Sequence, residues 1–373
     1  MSDLLHSTLR SNSSTNIAGM SSGAQTPAVP YSRPTSPGAG GNPIQIGFVG
    51  IGAMGALMAK NLANYRATHV PGSPAILVWN RTASKCEALL NELGPSKIRI
   101  AQALEQVATE CDMIITNLAN DEVIKSVFQQ LAETLKDAPP QRNKIFIETS
   151  TIYPTLAGEL DLLISSIPHC RLITSPVFGT PLVAASAQLV IVMSGDYRSK
   201  KEAAHTLVPA VGRKVIDLGG NLEKAPTFKL IGNSMILGTL EIFAESYTLA
   251  EKSGIASAEV HNLVKELFPA PGLIRYSERM SQNYFDASTG FSIDGGIKDA
   301  SHIRRLTAVH NAPMPSIDIA HQHLITARAI HNSRVQAGKP TVEVLDWSGI
   351  VAGTRVAAGL DGFESPAGVV EEE

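Results

Sequence analysis

The chain has few of the features that mark metal, disulfide, membrane-bound or nucleic-acid-binding proteins. Its 373 residues include three cysteines, Cys86, Cys111 and Cys170, with no C-x-x-C pair. This excludes a disulfide framework and predicts free thiols in a reducing compartment. The histidines, including His321 and His323, have no third ligand at a metal-binding spacing, so we expect no metal. A net charge of −3 lacks the basic excess of nucleic-acid and membrane binders. The predicted partners are therefore small molecules, with neither nucleic acid nor membrane.

The two ends of the chain are also poor in large apolar side chains. Residues 1–42 are rich in Ser, Thr, Pro, Gly and Asn, and they cannot bury enough surface to offset the entropy of ordering, so they are predicted to be a disordered tail. Their low acid content, with Arg10 and Arg33, permits a mitochondrial transit peptide as an alternative, but Asp3 favours a cytoplasmic location. Residues 361–373 end in three glutamates and are predicted to be a loose tail.

A glycine motif within residues 44–62 is the strongest positive signal. A short apolar run leads into Gly50-x-Gly52-x-x-Gly55, and a helix-compatible stretch follows. Gly50 would allow a tight turn, Gly52 would leave room for a pyrophosphate against the backbone, and Gly55 would let helix and strand pack closely. The alternative is an ordinary glycine-rich turn between strand and helix. We predict a dinucleotide site formed by Gly50, Ile51, Gly52, Ala53, Met54 and Gly55.

Strand-like runs alternate with helical patterns through the first half of the chain. Such alternation predicts βαβ units and a mostly parallel, doubly wound sheet with ligands at the carboxyl ends of its strands. After about Asp217 the pattern becomes helical, beginning with a long helix from Pro226 to Ser253. The predicted fold class is α/β, with an N-terminal Rossmann domain over residues 43–222 and an all-α substrate and dimerisation domain over residues 223–360. The predicted strands cover residues 44–49, 75–80, 97–100, 113–117, 144–148, 171–174 and 189–194.

The end of the second predicted strand indicates which dinucleotide is bound. An NAD site usually carries an acidic residue there, which accepts hydrogen bonds from the ribose 2′-hydroxyl. This chain has Asn80, Arg81 and Thr82 instead. Because an arginine can pair with a 2′-phosphate, these residues favour NADP over NAD. In the alternative interpretation, Arg81 is a solvated residue at the start of a helix.

Three further segments carry polar side chains at candidate ligand positions. Hydroxyl groups follow Glu148 at a strand end, where they favour capping of the next helix, with ligand binding as the alternative. Lys229 and Asn233 are four residues apart in the long helix and share one face. Their apolar surroundings would lower the lysine pKa toward values useful for proton transfer, whereas a snorkelling surface lysine is the ordinary alternative. Lys298 follows a Gly-Gly pair and is either part of a helix cap or a cation that reaches the cofactor.

Together these segments, within residues 44–360, resemble the β-hydroxyacid dehydrogenase family, which includes 3-hydroxyisobutyrate dehydrogenases and glyoxylate/succinic semialdehyde reductases. The N-terminal part also resembles the cofactor domain of 6-phosphogluconate dehydrogenase. The motifs that carry the resemblance are GFVGIGAMGALMAKNL, WNRT, ETSTIYP, SPVFGTP, KLIGN from Lys229, and Lys298-Asp299.

The resemblance implies a role for each matching residue. Lys229 would give a proton to a carbonyl as hydride arrives, or take it in the reverse direction, and Asn233 would orient the substrate. Ser150 would contact a substrate carboxylate. The family implies a homodimer or homotetramer, with a small carboxylate or aldehyde as substrate. Further cofactor contacts would come from Leu118, Ala119, Thr151 and Lys298.

One loop departs from the family pattern. Where the family has a Ser-Gly-Gly sequence whose backbone N–H groups hold the substrate carboxylate, this chain has Phe178, Gly179 and Thr180. The bulk of Phe178 predicts a larger or more apolar substrate. Two other functions are weighed against a reductase of a small carbonyl compound: a catalytically silent NADP-binding scaffold and an imine reductase. Both usually lack the catalytic lysine, which is present here as Lys229.

Overall fold

The computed structural model describes residues 29–31 and 43–364. Most of both predicted tails therefore lies outside the described residues. The prediction of a disordered tail through residue 42 is wrong at Tyr31. The Tyr31 side chain is buried, and its ring meets the ring of Tyr197 edge-on. An aromatic side chain in an otherwise polar segment buries enough apolar surface to fix a short stretch of chain.

The first part of the fold alternates strands and helices, as predicted. The apolar runs pair as parallel strands because the intervening helices return the chain to the same edge of the sheet. The elements are β1 (Ile46–Val49), α1 (Ala53–His69), β2 (Ile76–Trp79), α2 (Ala83–Leu93), β3 (Ile98–Ile100), α3 (Leu104–Glu110), β4 (Met113–Thr116), α4 (Asp121–Asp137), β5 (Lys144–Glu148), α5 (Pro154–Ser165) and β6 (Cys170–Thr174).

The sheet continues beyond β6 with mixed strands. These elements are β7 (Val177–Phe178), α6 (Pro181–Ala185), β8 (Leu189–Gly195), α7 (Tyr197–Val211) and β9 (Gly212–Asp217). In the described residues the strand order is β3-β2-β1-β4-β5-β6-β8-β7, with β9 paired to β8. Strands β1 to β6 are parallel, whereas β8 runs antiparallel to β6 and β7. The sequence patterns did not predict α7 or β9, because the apolar residues of β9 are few and mixed with charged ones.

The chain order reverses between β1 and β4, which are neighbours in the sheet. At such a reversal the loops that follow the two strands diverge to opposite faces and leave a crevice at the carboxyl edge. The Asn117 N–H donates to the carbonyl oxygen of Val49 across this point, at 2.9 Å. Buried apolar side chains cover both faces of the sheet. The switch point is therefore a rigid base on which the loops after β1, β4 and β5 meet.

The rest of the chain is helical. Pro226 lies in the first turn of the long helix, where its missing N–H costs no hydrogen bond, and the helix starts at Lys224, two residues before the predicted start. The helices pack around a core that includes Leu240, Phe243 and Leu324. In the described ranges no helix is long and apolar enough to cross a membrane. The helices are α8 (Lys224–Lys252), α9 (Ser257–Leu267), α10 (Pro271–Ser281), α11 (Ile293–His310), α12 (Pro315–Gln336) and α13 (Val351–Ala357).

The predicted fold class is confirmed: a Rossmann-like sheet precedes a C-terminal helical region that begins with one long helix. The domain bounds 43–222 and 223–360 stay a prediction. Residues 218–223 connect β9 to α8.

Candidate active site

The glycine motif forms an open cradle at the carboxyl end of β1. Gly50 has φ +101°, and a Cβ there would lie 2.2 Å from the Asn117 carbonyl oxygen, so a side chain is excluded. A Cβ at Gly55 would lie 2.0 Å from the Gly50 oxygen, so the helix packs directly on the turn. At Gly52, in contrast, an added Cβ would meet no atom within 4 Å, and no side chain caps the N-terminus of α1. Free space beside uncapped helix N–H groups fits the pyrophosphate of a dinucleotide.

The residues after β2 line the same cradle. The Asn80 side chain accepts a hydrogen bond from the Ile51 N–H at 3.0 Å and donates one to the Thr82 carbonyl oxygen at 3.0 Å. Asn80 therefore holds the glycine turn and the start of α2 together. The side chains of Arg81 and Thr82 are exposed. Ala53 and Met54 form the first turn of α1. This arrangement leaves the Arg81 guanidinium available to an anion next to the cradle.

Two loops at the switch point are tied to each other by their polar groups. The Leu118 N–H donates to the Ser150 hydroxyl at 2.7 Å, and the Asn117 side chain donates to the Thr149 hydroxyl at 3.0 Å. Ala119 follows Leu118 in the same loop and leads to α4. Helix α5 has no side-chain cap, so the interpretation of these hydroxyls as caps is wrong. They join the loops after β4 and β5 instead, because parallel neighbouring strands bring those loops to one edge.

A buried carboxyl group, Glu148, lies beneath these loops. It is fully buried and accepts hydrogen bonds from the Thr116 hydroxyl at 2.5 Å and from the Ser150 N–H at 2.6 Å. Burial raises the pKa of Glu148 to about 7, although both hydrogen bonds favour its ionised form. Sequence reasoning noticed this residue only as the start of a hydroxyl-rich run. Its position at the end of a continuous apolar strand is the signal that would have identified a buried carboxyl.

We expect Glu148→Gln to change how stability depends on pH. The folded protein binds more protons than the unfolded chain between pH 4.5, the ordinary pKa, and about 7, so the wild type loses stability as pH rises through this range. The loss is on the order of 3 kcal/mol, at about 1.4 kcal/mol for each pH unit between the two pKa values. The uncharged glutamine lacks this slope. Urea unfolding from pH 4.5 to 7.5 measures it, with the exposed Glu87→Gln as control, and parallel stability curves for wild type and Glu148→Gln would contradict it.

A second polar cluster joins α8 and α11. The Lys229 ammonium donates to the Asn233 side-chain oxygen at 3.0 Å, and the Asn233 amide donates to the Asp299 carboxylate at 2.6 Å. Asn233 and Asp299 are both buried. Burial lowers the pKa of Lys229 to about 8; Asp299 opposes this change, and the charge of Lys298 adds to it. The predicted pair of Lys229 and Asn233 thus lies in one hydrogen-bonded chain, and Asp299 is the member that the sequence did not predict.

Lys298 connects the helical region to the cofactor side of the sheet. Its ammonium donates to the Thr151 carbonyl oxygen at 2.6 Å and lies 3.1 Å from the Asp299 carboxylate. It lies inside α11, more than one turn beyond the Ser292 cap, so the helix-cap interpretation is wrong. One and two turns farther along α11, His302 lies 3.4 Å from Asp121, and the Arg305 guanidinium lies 3.9 Å from the centre of the Tyr153 ring. One face of α11 therefore packs on the loop after β5 and on the start of α4.

The predicted substrate loop brings an aromatic ring against the lysine. The Phe178 ring centre lies 4.4 Å from the Lys229 ammonium and 6.2 Å from the Phe228 ring centre. Gly179 has φ +147°, and Thr180 precedes the short helix α6. The Ser150 hydroxyl accepts its hydrogen bond from the loop after β4. The site residues thus form a cofactor cradle at β1 and β2, a pair of loops after β4 and β5, and the Lys229 cluster with Phe178.

His321, His323 and the three cysteines lie in ordinary packed or hydrogen-bonded surroundings. His323 pairs with the buried Glu241, and His321 contacts Ser301 and Arg304. Among residues 29–31 and 43–364, no group of three or more His, Cys, Asp or Glu side chains is arranged to hold a metal ion. The three cysteines are buried, and burial raises the pKa of each thiol. These residues take no part in the site.

The fold and site define an oxidoreductase with a nicotinamide-dinucleotide-binding sheet region of the hydroxyacid dehydrogenase type. Residues 45–220 match the family model described as the NAD binding domain of 6-phosphogluconate dehydrogenase. The matched region is similar to the cofactor-binding part of the β-hydroxyacid dehydrogenases.

Relatives and solved structures extend the likeness over most of the chain. It is 28% identical over 273 residues to the NADH-dependent oxidoreductase ucdB of Aspergillus ustus, covering 73% of this chain and 88% of that protein. It is 29% identical over 219 residues to glyoxylate/succinic semialdehyde reductase 1 of Arabidopsis thaliana, covering 57% and 68%. The fold is similar to that of 3-hydroxyisobutyrate dehydrogenase from Mycobacterium tuberculosis, with a TM-score of 0.65 and 23% identity over 84% of this chain and 99% of that structure.

Proposed function

We propose that this protein is an NADP(H)-dependent oxidoreductase that interconverts a small hydroxy acid and its carbonyl or semialdehyde form. The observation that carries the proposal is the hydrogen-bonded chain from Lys229 through Asn233 to Asp299. A partly buried lysine with a pKa of about 8 exchanges protons near neutral pH, which is what a general acid–base needs.

In such a reaction Lys229 would transfer the proton, and Asn233 and Asp299 would orient Lys229. The bound nicotinamide supplies or accepts the hydride. The Lys229 ammonium has further protons beyond the one donated to Asn233, and it gives one of them to the carbonyl oxygen as that oxygen becomes a hydroxyl. Asp299 fixes the Asn233 amide so that its oxygen faces Lys229. In the oxidation direction the neutral amine takes the proton back.

The loops and α11 position the reactants and exclude water. Leu118 and Ser150 are held to each other, and Glu148 supports Ser150 from below. Lys298 ties Thr151 to α11, so the helical region and the cofactor loops act as one unit. Exclusion of water by these elements would strengthen the charge interactions within the site.

The proposed cofactor is NADP rather than NAD. The exposed Arg81 guanidinium lies beside the cradle and after β2, where a carboxylate would disfavour a 2′-phosphate. The relative ucdB is named as NADH-dependent, so NAD is the competing cofactor. The absence of a carboxylate at residues 80–82 is the observation that favours NADP.

A panel of aldehydes and oxo acids, followed by loss of NADPH absorbance, tests the proposed function. Turnover of any carbonyl substrate supports a carbonyl reductase. Tight NADPH binding without turnover of carbonyl or imine substrates would support the scaffold alternative. Turnover of cyclic imines alone, unaffected by loss of Lys229, would support an imine reductase.

We also propose that the protein is a homodimer or homotetramer. Three apolar side chains on α8 are spaced by seven residues and therefore lie on one face: Met235, Ile242 and Leu249, with exposed fractions of 69%, 56% and 68%. Exposed apolar side chains repeated along one helix face are typical of a subunit interface. A symmetric pair would bury the same stripe from both copies.

The double variant Ile242→Glu/Leu249→Glu is expected to be monomeric. In a dimer the two introduced glutamates of one copy would face those of the other copy without a cation between them. This repulsion costs the dimer several kcal/mol. Light scattering after size-exclusion chromatography measures the mass. Val335→Glu, at an exposed apolar position on α12, is the control and should keep the wild-type mass. A monomeric wild type would refute the proposed assembly.

The proposed location is the cytoplasm. The three thiols are buried and unpaired by disulfides, which is compatible with a reducing compartment.

A further inference from the structure

The ring of Phe178 packs against the backbone of α8 at Gly232, which has no side chain. A Cβ at Gly232 would lie 2.3 Å from two carbon atoms of the Phe178 ring, so a side chain there would force the ring to move. Gly232 lies inside α8, one turn from Phe228, whose ring meets Phe178 edge-on. Glycine inside a helix is destabilising relative to alanine. At this position the cost is offset by contact between the helix backbone and the ring.

The segment that carries Phe178 is held in place on both sides. Phe178 pairs with Val190 in the antiparallel ladder of β7 and β8. A Cβ at Gly179 would lie 2.6 Å from Leu189 and 2.8 Å from Val183, and its φ of +147° also excludes other residues. The ring is therefore a fixed apolar wall beside Lys229, whose ammonium lies 4.4 Å from the ring centre.

Apart from Lys229, the polar groups near this wall offer little to an acid group. Lys298 is committed to the Thr151 carbonyl oxygen and to Asp299. The Asp299 carboxylate, 1% exposed, places a buried negative charge next to Asn233. Pro181, three residues after Phe178, has no N–H to donate. The ring itself offers no hydrogen bond, and the adjacent Lys229 ammonium is engaged with the carbonyl oxygen in the proposed reaction. An acid group against the ring would therefore lose hydration that the ring does not replace.

We propose that Phe178 is the specificity-determining residue of this site and selects aldehydes or ketones whose carbonyl carries an apolar or aromatic neighbour. The ring accepts such a group by stacking, while Lys229 reaches the carbonyl oxygen from the ring's own edge of the crevice. Short oxo acids, in which a carboxylate adjoins the carbonyl, are rejected. An acid group farther along the substrate points away from Phe178. This inference rests on the proposed carbonyl reduction by Lys229.

Matched aldehydes test the inference. Benzaldehyde and isobutyraldehyde carry an apolar group on the carbonyl carbon, and glyoxylate carries a carboxylate there. We expect the wild type to prefer the apolar aldehydes in kcat/KM by at least about tenfold, the discrimination that pocket contacts of this size supply. Phe178→Ser should reduce that ratio by about tenfold, and Phe178→Leu should reduce it less, because leucine keeps an apolar wall.

Gly232→Ala provides a test that leaves Phe178 itself unchanged. The added methyl displaces the ring, so the apolar preference should fall as in Phe178→Ser, while the dissociation constant for NADPH stays the same. Gly238→Ala, in the same helix, is the control, since its Cβ would lie 3.6 Å or more from the nearest atom and makes ordinary contacts. This control should retain the wild-type ratio.

The outcomes separate the two proposals. If the wild type turns over no carbonyl compound with NADPH or NADH, the proposed function fails. If it turns over carbonyl compounds but prefers glyoxylate, or if Phe178→Ser and Gly232→Ala leave the ratio unchanged while Gly238→Ala behaves as wild type, the inference about Phe178 is overturned and the proposed function stands. A ratio that falls in both variants supports the inference.

Discussion

Replacement of Lys229 by alanine is expected to lower kcat for carbonyl reduction by about 10²- to 10⁴-fold, the range that a positioned general acid contributes. Binding of NADPH should be nearly unchanged, because Lys229 lies on α8 and the glycine cradle is formed by the loop after β1. Stopped-flow or steady-state loss of NADPH absorbance measures the first quantity, and fluorescence titration measures the second.

The pH dependence of the reaction rate tests the role of Lys229 as proton donor independently. Reduction needs the protonated amine, so its rate should fall as pH rises through about 8, and the rate of oxidation should rise through the same pH. The variant should lose this dependence. Lys224→Ala, an exposed lysine at the start of the same helix, is the matched control and should keep both rate and profile. Retained turnover in Lys229→Ala would show that another group donates the proton.

Replacement of Arg81 by alanine is expected to weaken NADPH binding by about 10- to 100-fold, since hydrogen bonds to a charged group contribute about 1.5 to 3 kcal/mol. Binding of NADH should change little, because that cofactor has no 2′-phosphate. The preference for NADPH over NADH therefore narrows. Because the interaction is exposed, the wild-type preference should also decrease as salt concentration rises.

Arg142→Ala is the control for this experiment. Arg142 is an exposed arginine that lies 3.5 Å from Asp112, at the opposite, amino-terminal edge of the sheet. Its loss should leave both affinities unchanged. Equal affinity of the wild type for NADPH and NADH would refute the proposed cofactor preference, and an unchanged preference in Arg81→Ala would assign the phosphate contact to another residue.

The local patterns predicted most of the elements that position the site. The bounds predicted for β5, at residues 144–148, agree with the structure, and α4 and α5 begin at Asp121 and Pro154. These are segments whose apolar period, proline or acidic first turn acts within a few residues. The apolar periodicity did not predict α7 or β9, because charged residues interrupt it. Strand β9 forms through pairing with its neighbour β8.

The errors at the site have one physical origin. The hydroxyls after Glu148 were expected to cap α5, and they bind instead to the loop after β4, which is distant in sequence. One interpretation of the sequence places Lys298 in a helix cap. In the structure Lys298 lies inside α11, and its ammonium donates to the Thr151 carbonyl oxygen. Asp299 was not predicted, since its role depends on contact with Asn233 from another helix. Each of these contacts joins elements that only the folded chain brings together.

The sequence by itself determined the alternation of strands and helices, the glycine cradle with Arg81 beside it, and the shared face of Lys229 and Asn233. All of these follow from backbone sterics and from periods of two and 3.6 residues, which operate along the chain. The tertiary structure alone decided that Asp299 fixes Asn233, that Glu148 is buried beneath Ser150, and that Phe178 sits on Gly232 against Lys229. Those contacts depend on packing between distant segments, and burial, which sets the pKa of both Lys229 and Glu148, exists only after that packing has formed.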